Sequence, residues 1–245
     1  MTGPLLQCLD VSVGYERPVL EHLNLEINSG EIVALLGASG SNKSTLLRTV
    51  CGLVPPIGGQ VRLFGQSLYD LPPESRNHLM RRIGVVFQQD ALFSSMTIED
   101  NVALPLRELT KLPAPLIREM VHMRLDLVGI SDLARRMPAN ISGGQRKRAG
   151  LARASILDPE IIFCDEPTAG LDPIVAADVD STLVKFRDAL GSTIVVVSHE
   201  LESIRATADR AIMLADGGVA AVGTIDELMH SRDDTVFQFF HARAG

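Results

Sequence analysis

The chain has 245 residues, a formal net charge of −7, 46% apolar residues and 22% charged ones. That balance suits a globular protein with room for one large domain carrying an inserted unit. It argues against a dedicated nucleic-acid binder, which would be basic, and no apolar run approaches the roughly 18–20 residues of a membrane helix.

The opening "MTGPLLQCLDV" lacks the basic start and long apolar stretch of a secretory leader, so none is expected. Three scattered cysteines, Cys8, Cys51 and Cys164, show no ligand spacing and fit a reducing cytoplasm. Leu9, Val11 and Val13, then Leu23, Leu25 and Ile27, lie two apart with polar residues between, which predicts half-buried strands. "EIVALLG" is instead continuously apolar, as are "EIIFCDEP" and "STIVVVSH". Such strands belong inside a parallel sheet covered on both faces, with their notable residues at the carboxyl ends where open α/β sheets bind ligands. "GGQVRLFG" reads as a further strand.

"GASGSNKST", Gly37 to Thr45, follows the first continuous strand and precedes the apolar "LLRTV". It is nearly the phosphate-binding loop G-x-x-x-x-G-K-[ST], with Asn42 in place of the last glycine. In that loop the backbone amides from Gly37 through Ser39, Gly40, Ser41 and Asn42 face phosphates, aided by the positive end of the following helix. Lys43 would meet the terminal phosphates and Ser44 would ligate Mg²⁺, with Thr45 alongside. The missing glycine implies a positive φ, a region that asparagine tolerates better than most residues.

From about Leu92 to Leu157 the pattern turns helical: Ile117, Val121, Leu125 and Val128 recur at helical spacing, punctuated by "KLPAP" and "MPAN". Within it, "ISGGQRKRAGLARA" puts Ser142, Gly143 and Gly144 at the start of a long helix, a second place where an anion could bind. Its basic residues read as a charged helix face. Because the first such site serves the chain's own nucleotide, the second makes sense against the nucleotide of a neighbour. "IIFCDEP" then presents adjacent carboxylates, Asp165 to hold Mg²⁺ through its water shell and Glu166 to polarise an attacking water. His199, after "TIVVVS", is placed to reach the γ-phosphate or that water. The other five histidines form no cluster.

These residues together resemble the ATP-binding subunits of ABC transporters along essentially the whole chain. The resemblance identifies Gly37 to Thr45 as the Walker A loop, "VVFQQD" with Gln88 as the Q-loop, and Ile141 to Gln145 as the signature. It identifies "IIFCDE" as Walker B, "AGLD" ending at Asp172 as the D-loop, His199 as the switch histidine and Tyr15 as the aromatic that stacks on adenine. It implies a P-loop NTPase core with an N-terminal antiparallel β-subdomain and an inserted helical subdomain. On that division residues 1–91 and 158–230 form the core and β-subdomain, about 92–157 the helical subdomain and 231–245 a C-terminal extension. It also implies ATP and Mg²⁺ as cofactors, with Ser44, Gln88 and Asp165 around the metal. Catalysis would fall to Glu166, His199, Gln88 and Lys43, in a head-to-tail dimer where Ser142, Gly143, Gly144 and Gln145 of one copy close on the ATP of the other. The partner implied is an integral-membrane permease at the cytoplasmic face of the inner membrane, with no nucleic acid involved.

"LFSSMTIEDNVALPLRE" and the ending "VFQFFHARAG" are similar to the ATPase subunits of Mce/Mla-type lipid transporters. That narrower likeness implies phospholipid transport between bacterial membranes and an Mce-domain lipid-binding partner. Another solute, or a poorly hydrolysing interaction module owing to Asn42, are the competing expectations. Phe237, Phe239 and Phe240 of the extension are expected to pack, either on the chain itself or on an adjacent subunit.

Overall fold

The computed structural model describes residues 3–38, 40–88 and 92–241. Ser39 and the part of the Q-loop after Gln88 lie outside the described residues. In chain order the elements are β1 (Leu6–Gly14), β2 (Pro18–Ile27), β3 (Ile32–Leu36), α1 (Lys43–Val50), β4 (Gly58–Leu63) and β5 (Gln66–Ser67). Then come α2 (Pro73–Met80), β6 (Ile83–Val86), α3 (Ile98–Leu109), α4 (Ala114–Leu127), α5 (Gly143–Ser155), β7 (Ile161–Asp165), α6 (Pro173–Leu190) and β8 (Thr193–Val197). The chain closes with α7 (Leu201–Thr207), β9 (Arg210–Ala215), β10 (Gly218–Thr224), α8 (Ile225–Met229) and α9 (Asp234–His241).

Two sheets result. One is antiparallel, in the order β2-β1-β4-β5, and is built from the alternating segments near the start of the sequence. The other runs β10-β9-β3-β8-β7-β6 and is parallel except for β10. The three continuously apolar segments are β3, β8 and β7, adjacent to one another in its interior and buried along their whole length. The two-residue period still operates within them. Val33, Leu35, Phe163, Val195 and Val197 face a cluster shared with the antiparallel sheet and α1. Ile32, Ile162, Cys164, Ile194 and Val196 face the helices, against Val102, Leu106 and Phe186. Both faces are covered, so the interior positions of these strands favour apolar side chains and the polar ones, Thr193 and Asp165, fall at strand ends.

The predicted helical stripe lies inward as a row: Ile117, Val121, Leu125 and Val128 are all buried. The cations of the α5 basic run are tied to the chain's own backbone. Lys147 is 6% exposed and donates to the Gln88 carbonyl, Arg146 donates to the Ile141 carbonyl, and Arg148 to that of Val128. Backbone carbonyls of this same chain accept from all three cations. Among the described residues no helix is long and apolar enough to cross a membrane.

Candidate functional site

Register brings the chemistry to one level. Leu35 of β3 pairs with Val197 of β8, and Val197 pairs with Asp165 of β7, so three strands end together. From these ends rise the loop before α1, the Asp165–Glu166 pair and His199, and the loop, Glu166 and His199 line a cavity of about 590 Å³.

The loop is tight. Gly37 has φ 150°, and a Cβ there would come within 2.5 Å of the Ser41 hydroxyl and 2.6 Å of the Leu214 carbonyl, so only glycine fits. Asn42 adopts φ 61°, ψ 25°, the left-handed conformation inferred for the missing glycine. Its side chain makes no capping bond, while its carbonyl accepts from the amides of Thr45 and Leu46 to start α1. Lys43 is buried and folds back, donating to the carbonyls of Gly37 at 2.9 Å and Ala38 at 3.0 Å and to the Ser41 hydroxyl at 3.2 Å. Burial pushes its pKa down, against the pull of Glu166 and Asp165. Gly40, Asn42, Ser44 and Thr45 also line the cavity.

Opposite stand the carboxylates. The Ser44 hydroxyl donates to Asp165 Oδ1 at 3.2 Å. Burial raises the Asp165 pKa, with Ser44, Arg48, Lys43 and Lys147 opposing the rise. Glu166 has φ 51°, an uncommon value for a long side chain, held by its amide donating to the Val197 carbonyl at 2.8 Å. This turn sends Glu166 away from Asp165. His199 Nδ1 lies 2.8 Å from Glu166 Oε1 and donates to it, since an ionised carboxylate only accepts. The second oxygen, Glu166 Oε2, is buried with no hydrogen-bond partner among the described residues. An orphaned acceptor at the rim of a polar cavity is the position for a water that must lose a proton.

The arrangement fits a triphosphate and a divalent cation: a lysine at the start of a helix on one side, a serine hydroxyl and an aspartate oxygen converging on the other. Gln88 reaches the same cavity from the end of β6, and its carbonyl is held by Lys147 at 2.5 Å.

Other predicted residues stand elsewhere in the single chain. Among the described residues, the cavity lining omits Ser41 and Asp165, which join it through their bonds to Lys43 and Ser44, and it omits Tyr15, the Ser142–Gln145 segment and Asp172. Tyr15 is 63% exposed, and its hydroxyl accepts from Arg48. Ser142 caps α5, accepting from the Gln145 amide while the Gln145 side chain accepts from the Ser142 amide. A Cβ on Gly144 would come 2.1 Å from Val175 Cγ1, so this glycine lets α5 pack on α6; Gly143 faces Leu171. Asp172 caps α6, accepting from the amides of Ile174 and Val175.

The three phenylalanines, expected to pack on the chain itself or on an adjacent subunit, differ in how far the chain itself covers them. Phe240 is 3% exposed in the chain's own core, Phe239 is half-buried and lines the cavity, and Phe237 stays 46% exposed, stacked on His241. A helix at 234–241 places residues 236 and 240 on one side and 237 on another, so one seat cannot hold all three. The roles of Lys147 and Phe239 carried no sequence signal, because each depends on a contact across the fold.

Residues 20–169 match the family model described as ABC transporter. The chain belongs to this family. It is 41% identical over 224 residues to the intermembrane phospholipid transport system ATP-binding protein MlaF of Haemophilus influenzae, covering 91% of this chain and 85% of that protein. The Escherichia coli K12 protein of the same name is 40% identical over 226 residues, covering 91% and 83%. Among solved structures, a post-hydrolysis dimer of an ATP-binding cassette bound to ADP and Pi superposes with a TM-score of 0.81 at 32% identity, covering 89% of this chain and 98% of that one. As a member of this family the chain is an ATP-binding ATPase subunit, with the P-loop ABC fold.

Proposed function

We propose that this ABC ATPase energises phospholipid transport between bacterial membranes. It works as a twofold pair at the cytoplasmic face of the inner membrane and drives a separate integral-membrane permease. The lipid assignment rests on the two MlaF relatives and their near-complete coverage. An Mce-domain lipid-binding protein belongs to the same proposed assembly, and no nucleic acid does.

The observation that carries the site reading is the buried Glu166 Oε2, without a hydrogen-bond partner among the described residues, on a side chain that bonds His199 and shares a cavity with Lys43. In the proposed mechanism Lys43 exchanges its bonds to the loop carbonyls for bonds to phosphate oxygens, so its N–H donors stay satisfied while its charge gains an anionic partner. Ser44, Asp165 and Gln88 would hold Mg²⁺, which supplies charge neutralisation at the phosphates when bound. Glu166 accepts the proton of the attacking water at Oε2, and His199 fixes the carboxylate through Oε1. Gly37, Ser39, Gly40, Ser41, Asn42 and Thr45 cradle phosphate. Tyr15 offers a face to the base, and Ser142, Gly143, Gly144, Gln145 and Asp172 serve the second copy's site. This split agrees with the single chain, where those last residues lie outside the cavity and a self-complementary dimer is needed to use them.

The experiment is ATP turnover by the chain assembled with its permease, alongside Glu166→Gln. The expected result is turnover in the wild type and a loss of at least about 100-fold in the variant, the scale of a lost general base. The variant should keep ATP affinity and accumulate as an ATP-bound dimer. Undiminished turnover in the variant would refute the assignment of Glu166. Phospholipid movement between vesicles by the same assembly tests the cargo, and movement of another solute class alone would refute the lipid reading.

A further inference from the structure

We infer that α9 forms part of the nucleotide site, with Phe239 as a positioning residue at the phosphate end. This rests on the nucleotide reading of the cavity and adds a wall to it from the chain's last helix.

The seat of α9 is well defined. Asp233 caps it, accepting from the amides of Thr235 and Val236, and Val236 and Phe240 are buried. They pack on Ala34 and Leu36 of β3 and on Ala211 and Met213 of β9. Leu36 is the last residue of β3, and Gly37 begins the phosphate loop. The surface that holds α9 therefore runs directly into the loop. Phe239 lies half in this seat, edge-on to Phe240 with centroids 5.5 Å apart, and half in the cavity with Gly37 and Ala38.

Phe239 is the one aromatic among the described lining residues, and it shares the cavity with Glu166 and His199 rather than with Tyr15. The remaining lining is mostly polar or charged, with Ala38 and Val197 as small apolar exceptions. An aromatic ring there leaves the cavity open while displacing water from one side of Lys43, where lower local polarity strengthens the pull of the ammonium on phosphate oxygens. Its effect belongs to phosphate binding and turnover, not to choice of base.

Four full-length proteins test this: wild type, Phe239→Ala, Phe239→Leu and Phe237→Ala. The measurements are calorimetric affinity for a non-hydrolysable ATP analogue and for the GTP counterpart, Mg-ATP turnover, and hydrogen exchange across 234–241. Phe239→Ala should lose about three- to tenfold in analogue affinity and turnover, the range for withdrawing part of one aromatic face. Its preference for ATP over GTP should stay within twofold of the wild type. Phe239→Leu should recover most of the loss, and Phe237→Ala should match the wild type within twofold. Nucleotide should slow exchange across 234–241 in the wild type. Phe239→Ala equal to wild type, a loss shared by Phe237→Ala, or a loss that leucine does not repair would overturn the inference. A wild-type chain that binds neither nucleotide would overturn the underlying nucleotide reading instead.

Discussion

Asn42 shows how one side chain can break a motif while its backbone keeps the motif's shape. Its φ of 61° lies where an ordinary L-residue is strained by about 1–2 kcal/mol, a cost asparagine partly escapes. With no capping bond to lose, Asn42→Gly should shift stability by less than about 1 kcal/mol, because relief of strain is offset by a more flexible unfolded chain. It should raise nucleotide affinity or turnover by clearing a side chain from the cavity. Asn42→Val, which suits the left-handed region badly, should lower stability by about 1–2 kcal/mol. Thermal or urea unfolding of the two variants checks the pair, and a stable valine variant would show that the loop relaxes into another conformation. Glu166 carries the same kind of strain at the carboxylate across the cavity, where it has a use: it turns the side chain from Asp165 towards His199.

At the scale of elements, contacts between helices explain what motif spacing leaves open. Gly144 was legible as part of a helix start, but its contact with Val175 joins α5 to α6 across 31 positions and leaves no local pattern. Gly144→Ala should cost about 1–3 kcal/mol by overpacking, and Val175→Ala in the same chain should return most of it. Unfolding of the single and double variants measures that coupling, and additive losses would defeat the packing account. A second helix pair holds a buried acid: Asp180 of α6 accepts from the Ser203 hydroxyl of α7 at 2.7 Å. Burial raises its pKa, with Ser203 opposing the shift and Glu200 adding to it. A carboxyl that holds its proton more tightly when folded disfavours the fold above the unfolded value and relaxes as pH falls through the raised one. Asp180→Asn should therefore be more stable than wild type at neutral pH, with the advantage shrinking under mild acid; a constant difference across that range would exclude the linkage. The strands were legible because their pattern is local. Alternation marked β1 and β2, and unbroken apolar runs marked β3, β7 and β8, which the sheet covers on both faces. The partners of Lys147, Gly144 and Phe239 were not legible, since side chains far apart in sequence meet only once the topology is set.

For the whole molecule, the cavity holds the loop, Glu166 and His199, while Ser142 caps its own helix away from them. In the proposed twofold pair, a chain built this way completes its site with a second copy. Lys147 gives the two halves a common part: it projects from the signature helix and grips the carbonyl of Gln88, whose residue reaches the cavity. Any displacement of Gln88 on loading must pull on α5 or release it. Lys147→Met should thus leave single-site ATP affinity within about twofold and bring the Hill coefficient of turnover towards 1, while Lys147→Arg keeps the wild-type value. An unchanged Hill coefficient in the methionine variant would sever that connection. Where the bond holds, each cassette displays the state of its own chamber on the surface it offers its twin, so two distant reactions can keep time without any messenger between them.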